Sequence, residues 1–285
     1  MRRRRGSPPQ RGFTLVELLV ALGIFLVVTG AAFTLLGTSQ KRYQTESQVL
    51  SSFQEARLGL DQMVRDVNDA GFPPPTFSDG VASHAYQYAI SPFAWSSGAG
   101  YPGTPCQIGT AGGGNCTTAT ANDTAPGDFD LIVETNPNPQ DSGSQVQWIR
   151  YQLQGTILMR GVFGKVPGDD PDGDTTAAGI LVPFVQNVVN NVCPSQLPTC
   201  QTAYPGLFPG GTPVPIFSYF CDNPNSPPPT IACPSPLAAA GVNSPANIRD
   251  VTITLIIAAP LPDSSTGQPR LVMLNGRGRR VNPNQ

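Results

Sequence analysis

Residues 11–30 read RGFTLVELLVALGIFLVVTG. The run is apolar almost throughout, yet an acid, Glu17, interrupts it near its start. From Leu18 to Leu36 the only polar side chains are Thr29 and Thr34. That length is close to the roughly 20 residues a helix needs to cross the hydrocarbon of a bilayer. Five arginines, Arg2 to Arg5 and Arg11, stand ahead of it. A basic head and an apolar run admit a secretory signal peptide, with Leu18 to Val28 as its apolar centre and Thr29-Gly30-Ala31-Ala32 as the small residues at its cleavage site. They equally admit a permanent anchor whose arginines stay in the cytoplasm. Neither reading explains Glu17, because a carboxylate in hydrocarbon costs roughly 3 kcal/mol and usually marks function.

Downstream of the run the chain stays helical in pattern. No proline occurs from Phe13 to Phe72. Leu50, Phe53, Leu60, Val64 and Val67 recur at three- and four-residue steps, flanked by Ala56 and Met63, while Glu46, Glu55, Arg57 and Asp61 lie mostly elsewhere around the helix. The pattern predicts one helix from Phe13 to about Asn68, about 80 Å long at 1.5 Å per residue. Gly71 suits its C-cap and Pro73-Pro74-Pro75 ends it. Gly23, Gly30 and Gly37 are soft points in the first half. This continuity weighs against a removed secretory signal.

A third reading accounts for the acid. Gly12-Phe13-Thr14-Leu15-Val16-Glu17, behind a short basic leader, resembles the processing site of type IV prepilins and of the related pseudopilins of type II secretion. The resemblance implies that a membrane-embedded aspartyl peptidase cuts between Gly12 and Phe13, removes residues 1–12 and methylates the new amine of Phe13. It implies further that Glu17 of an incoming subunit meets the Phe13 amine of a neighbour and sets the register between them. Such a pairing is physically sound, since a buried ammonium is tolerated when a carboxylate neutralises it. The alternative for Glu17 is simple placement in a first helical turn, where an acid is favoured.

A second string, Gln62-Met63-Val64-Arg65-Asp66-Val67-Asn68-Asp69-Ala70-Gly71-Phe72, resembles the helix ending of PilW-type minor pilins and of J-type minor pseudopilins. From the residues alone, Arg65 and Asp66 read as solvated or locally paired. Shorter segments that look PilW-like are Tyr151 to Arg160, Phe184 to Val188 and Phe217-Ser218-Tyr219.

Beyond the helix, strands are expected over Phe129–Glu134, Val146–Leu153, Thr156–Arg160, Leu181–Val189, Val214–Phe220, Val251–Ala258 and Leu271–Leu274. The second and third form a hairpin turning near Gln154-Gly155. Residues 76 to 127, rich in Gly, Ser, Thr and Ala, read as a surface excursion. The fold expected is α+β: a long N-terminal helix packed on one face of an antiparallel sheet, with long disulfide-bearing loops, as in type IV pilins. Its parts are a leader (1–12), a membrane half of the helix (13–36), an amphipathic half (37–72) and a β-rich head (73–285).

Composition agrees. The chain has 285 residues, 13% of them charged, with 30 glycines and 31 prolines, a mix that favours strands, turns and loops over a helical bundle. Of its 17 basic residues five precede residue 12; the remaining 12 face 19 acidic ones, a net of -7. A nucleic-acid binder of the basic-patch kind is thereby disfavoured. Six cysteines fall as local pairs, Cys106/Cys116, Cys193/Cys200 and Cys221/Cys233, none spaced C-x-x-C. With one histidine in the chain, His84, they read as disulfides made in an oxidising compartment rather than a zinc site. Connectivity is open in principle, and nearest-neighbour pairing is expected.

Chemistry is sparse. Asp170, Asp172 and Asp174 alternate in an acidic stretch that could offer oxygens to calcium. The EF-hand pattern fails, because Leu181 holds the place of the bidentate Glu, and a plain acidic turn is the competing reading. Some pseudopilins bind calcium in head loops, which the resemblance carries here as an expectation. No phosphate-binding Lys-Ser/Thr follows the glycines of 110–116, and His84 has no evident triad partners. The resemblance therefore implies an assembly protein and not an enzyme: a PilW-type minor pilin, or alternatively a minor pseudopilin of a type II secretion machine. A secreted binding or enzymatic domain with a conventional signal peptide is the reading from another class. The implied partners are the prepilin peptidase, other major and minor pilins, the inner-membrane assembly machinery and membrane lipid. The implied location is the inner membrane, N-terminus cytoplasmic and head periplasmic, and then the fibre.

Overall fold

A computed structural model of the chain describes residues 12–74, 77, 78, 80, 86–94, 126–138, 144–165, 170–176, 179–221, 231, 232, 245, 248–263 and 267–281. Contacts divide the chain into two compact units, Met1–Ser47 and Gln48–Gln285. Helix α1, Leu15–Asn68, fills the first from Leu15 onward and continues into the second. It passes unbroken through Gly23, Gly30 and Gly37. It ends as the residues require: Asp69 and Ala70 turn, and Gly71 takes a φ of 81°, the left-handed conformation that favours glycine at a helix C-terminus.

The second unit holds two antiparallel sheets where the sequence reading expects one. In the first sheet β1 (Phe93–Ala94), β2 (Asp130–Thr135), β3 (Gln147–Gln154), β4 (Ile157–Gly164) and β5 (Val182–Val185) lie side by side in chain order. In the second the order is β7-β6-β8-β9, with β6 Phe217–Cys221, β7 Ile231–Ala232, β8 Ile248–Pro262 and β9 Pro269–Arg279. Two short helices, α2 (Pro171–Thr176) and α3 (Cys200–Ala203), intervene.

The hairpin of β3 and β4 turns through Gly155 and Thr156, with Gln154 opposite Ile157. Gly155 has a φ of 60° and Thr156 does not share it, the pattern of a II′ turn, which matches the twist of its strands. The expected strand Leu181–Val189 is two pieces. Its first part is β5, on β4. Its second contributes Val188, which bridges to Ile257 of β8 in the other sheet. Between them Asn187 has a φ of 58°, a conformation that asparagine tolerates better than most residues. Gln186 and Asn187 interrupt the apolar residues of this stretch, and there its backbone changes sheets.

The strand expected over Leu271–Leu274 extends to Arg279, through Gly276 and Gly278, which read as loop residues. They are glycines because α1 lies on them. A Cβ at Gly276 would stand 2.8 Å from Leu60 Cδ1, and one at Gly278 would stand 2.5 Å from Val67 Cγ1. Gly278→Ala is therefore expected to cost about 1–3 kcal/mol by overpacking, read as a lower urea midpoint. An unchanged midpoint would mean that the helix does not rest on this strand.

The core joins α1 to both sheets. Ala56, Leu60, Met63 and Val67 of the helix pack with Leu131, Val133, Ile149 and Tyr151 of the first sheet and with Val251, Ile253 and Leu255 of the second. Phe53 and Val64 are partly buried against it, whereas Leu50 remains 59% exposed, because cover from the head begins only at Phe53. The expected surface excursion is corrected in its described part: Phe93 and Ala94 form β1 and are fully buried. The segment from Val189 onward likewise builds a satellite core of its own from Val189, Leu197, Cys200, Phe208, Ile256 and Ala258.

Candidate functional site

The residues singled out for processing lie at the start of α1. Gly12, Phe13 and Thr14 precede the helix, and Phe13 is 83% exposed. Thr14 is the N-cap of α1. Its Oγ1 accepts from Glu17 N at 3.3 Å, and Glu17 Oε2 accepts from Thr14 N at 3.0 Å and from Thr14 Oγ1 at 3.1 Å. This reciprocal pair is a capping box, which satisfies two backbone donors that a helix end leaves open. The Thr-x-x-Glu spacing carries that signal in the sequence, and the sequence reading missed it. Glu17 thus holds the helix start in the isolated chain, and its carboxylate is exposed.

The helix is long and apolar enough to cross a membrane by length and composition. An 18-residue window has a mean hydropathy of 2.5, and none of it is buried within the chain. Leu18, Leu22, Phe25 and Val28 are each more than half exposed, as are residues on the other faces such as Leu19, Val20 and Val27. Apolar surface on every side of a helix requires lipid or other apolar helices around it.

At the other end of α1, Asp66 proves to be a buried anchor and not a solvated charge. Its Oδ2 accepts from Tyr151 Oη at 2.5 Å and from Arg160 Nη2 at 3.1 Å, and its Oδ1 accepts from Gln62 Nε2 at 2.7 Å. Arg160 Nε also donates to Tyr151 Oη at 3.0 Å, and the guanidinium lies 5.7 and 5.9 Å from the ring centroids of Tyr151 and Phe184. Burial, and then the Asp66 charge, push the Tyr151 hydroxyl well above the ordinary tyrosine range, so it stays a donor. Asn68 Oδ1 accepts from Arg279 N at 2.7 Å, and Asp69 O accepts from Thr135 Oγ1 at 2.7 Å. The Met63–Phe72 string therefore ties the helix end to both sheets, while Arg65 is exposed.

The first sheet carries further buried charge on the face away from this core. Asp130 and Arg150 pair through two contacts, Nε to Oδ1 at 2.9 Å and Nη2 to Oδ2, with both side chains about 1% exposed. Glu134 Oε1 accepts from Lys165 Nζ at 2.6 Å and from Ile90 N at 2.7 Å. Trp148 Nε1 donates to Glu134 Oε2 at 3.3 Å, and Lys165 Nζ also donates to Tyr88 O at 2.8 Å. These groups hold one another inside the head.

Cys193 and Cys200 form a disulfide with a Cα separation of 5.5 Å, and Cys221 is disulfide-bonded as well. Cys106, Cys116, Cys233 and His84 lie outside the described residues, as does the leader up to Arg11. The acidic stretch folds as α2, with Asp174 N donating to Asp170 O at 2.9 Å. Among the described residues no group of three or more acidic, histidine or cysteine side chains is arranged to hold a metal ion; the side chain of Asp172 is outside that description.

A profile described as the prokaryotic N-terminal methylation motif matches residues 8–33. No curated protein and no solved structure matches the chain. The motif supports a type IV pilin or pseudopilin precursor, a class whose members are structural and not catalytic. The long apolar helix and the antiparallel sheets are consistent with a type IV pilin-like fold, and helix and motif together fit a single-pass inner-membrane protein.

Proposed function

We propose that this chain is a minor pilin of PilW type, cut by prepilin peptidase between Gly12 and Phe13 and then built into a type IV pilus or the complex that starts one. One observation carries the reading: a Gly-Phe-Thr-Leu-Val-Glu junction sits at the head of an apolar helix that runs unbroken into the core of a β-rich head. Gly12 adds to it. Among the described residues a Cβ there would meet nothing within 4 Å, so none of their packing demands glycine. A peptidase subsite with no room for a side chain would. The leader arginines hold the N-terminus in the cytoplasm and the head enters the periplasm. When the subunit leaves the membrane, its helix exchanges lipid for a bundle of like helices, and little apolar surface meets water on the way. The head then meets neighbouring pilins and the inner-membrane assembly machinery.

Mass spectrometry of the N-terminus of the protein from its native envelope tests this directly. The expected result is a chain that starts at Phe13 and carries one methyl group on its amine. A chain starting near Ala32 or Phe33 would instead mark a secreted domain, and an intact arginine leader a permanent anchor.

A further inference from the structure

Among the described residues the two sheets present four edges, and three of them are blunt. β1 and β7 are two residues long, and β5 has four residues with Pro183 among them. The fourth, β9, is eleven residues long and lies at the end of its sheet. Its direction of pairing is set by the bond from Arg280 N to Arg249 O at 3.0 Å. With Val251 opposite Gly278 and Ile253 opposite Gly276, the even-numbered residues face β8. The odd-numbered ones face outward. At Arg279 that outward N–H is taken by Asn68 Oδ1 of α1. At Met273, Asn275 and Arg277 the outward N–H and C=O groups have no partner among the described residues.

These groups repeat every second residue, about 6.8 Å apart, a spacing that another extended backbone matches. The side chains beside them say what that backbone should carry. Arg277 and Arg279 share one buried carboxylate, Asp250, at 2.7 and 3.7 Å, and each is more than half exposed. Positive charge therefore remains at this end of the edge in a chain whose body is net acidic. On the other face Val272 and Leu274 are partly buried. We infer that the β9 edge receives an extended strand of another protein, antiparallel to β9, apolar at alternate positions and with a carboxylate opposite Arg277. The inference uses the head alone and stands whether or not the leader is processed.

The test uses the full chain in detergent and the peptide acetyl-EVTVTVT-amide, whose glutamate reaches Arg277 in the antiparallel register. Amide hydrogen exchange is followed residue by residue. In the free chain Met273, Asn275 and Arg277 should exchange fast while Leu274, Gly276 and Gly278 exchange slowly. The peptide should slow the three fast amides, and replacing its glutamate by lysine should weaken binding about threefold to tenfold, as expected for an exposed charge pair reversed. Asn275→Pro removes an outward N–H, which an edge strand tolerates, together with the exposed Oδ1 that accepts from Thr254 Oγ1 at 2.9 Å, so it should abolish the peptide effect and leave the exchange of Gly276 and Gly278 slow. Three results would overturn the inference: the amides of Met273, Asn275 and Arg277 already slow in the dilute free chain, no protection by the peptide, or peptide binding unchanged in Asn275→Pro. Protection that grows with protein concentration alone would make a second copy the occupant and overturn the acidic-partner assignment.

Discussion

A Glu17→Gln chain is expected to be cut and methylated normally and yet to enter fibres about a hundredfold less than the native chain. The substitution isolates charge from capping. Glutamine at this position still completes the Thr-x-x-Glu/Gln box with Thr14, so the helix start survives. What is lost is the one anion near the amine that the proposed cut would create at Phe13. Leaving a buried ammonium unpaired costs about 3–5 kcal/mol, and about 2.7 kcal/mol already corresponds to a factor of a hundred in an equilibrium. Two companions make the result decisive. Thr14→Ala breaks the box and keeps the carboxylate, and should cost only about 1 kcal/mol of helix stability with assembly largely kept. Glu17→Ala removes both functions and should assemble no better than Glu17→Gln. Quantifying the chain in sheared fibres against the membrane fraction gives the readout. Normal incorporation of Glu17→Gln alongside failure of Thr14→Ala would reassign Glu17 from pairing to capping.

The second large effect lies inside the head. Lys165→Met is expected to destabilise it by about 3–5 kcal/mol, because Glu134 would then be a buried anion without its cation. Both side chains are at most 1% exposed, so water offers no substitute. The double variant Lys165→Met with Glu134→Gln removes the stranded charge and keeps an acceptor for Ile90 N. It should recover at least half of the loss, since a neutral buried group with a remaining hydrogen bond costs far less than an ion without one. Urea unfolding of the three chains decides. If the double variant were as unstable as the single one, packing of the lysine stem and not its charge would account for the loss.

Much of this was legible along the chain. The helix needed only local information: an apolar run, no proline from Phe13 to Phe72, a string of apolar residues at helical spacing and a glycine placed to end it. The stretch that matches the N-terminal methylation motif, residues 8–33, is likewise a contiguous string. The centre of β8 follows from the alternation of Val251, Ile253, Leu255 and Ile257, those of β2, β3 and β4 from short runs rich in strand-forming residues, and Gly155 marks its own turn. Each of these features is decided within a few residues, where backbone sterics and side-chain period act.

The tertiary structure decided the rest. Asn187 divides one expected strand between two sheets, which no period can reveal. Gly276 and Gly278 look like loop residues until α1 is laid on them. Asp66 finds Tyr151 and Arg160 at separations of 85 and 94 residues, and Glu134 finds Lys165 31 residues away. In sequence a buried charge and a solvated one look alike. Only the fold supplies the counter-charge that makes burial affordable, so the sequence determined which segments are helix, strand and membrane-ready, and the fold determined which of its acids are exposed and which hold it together.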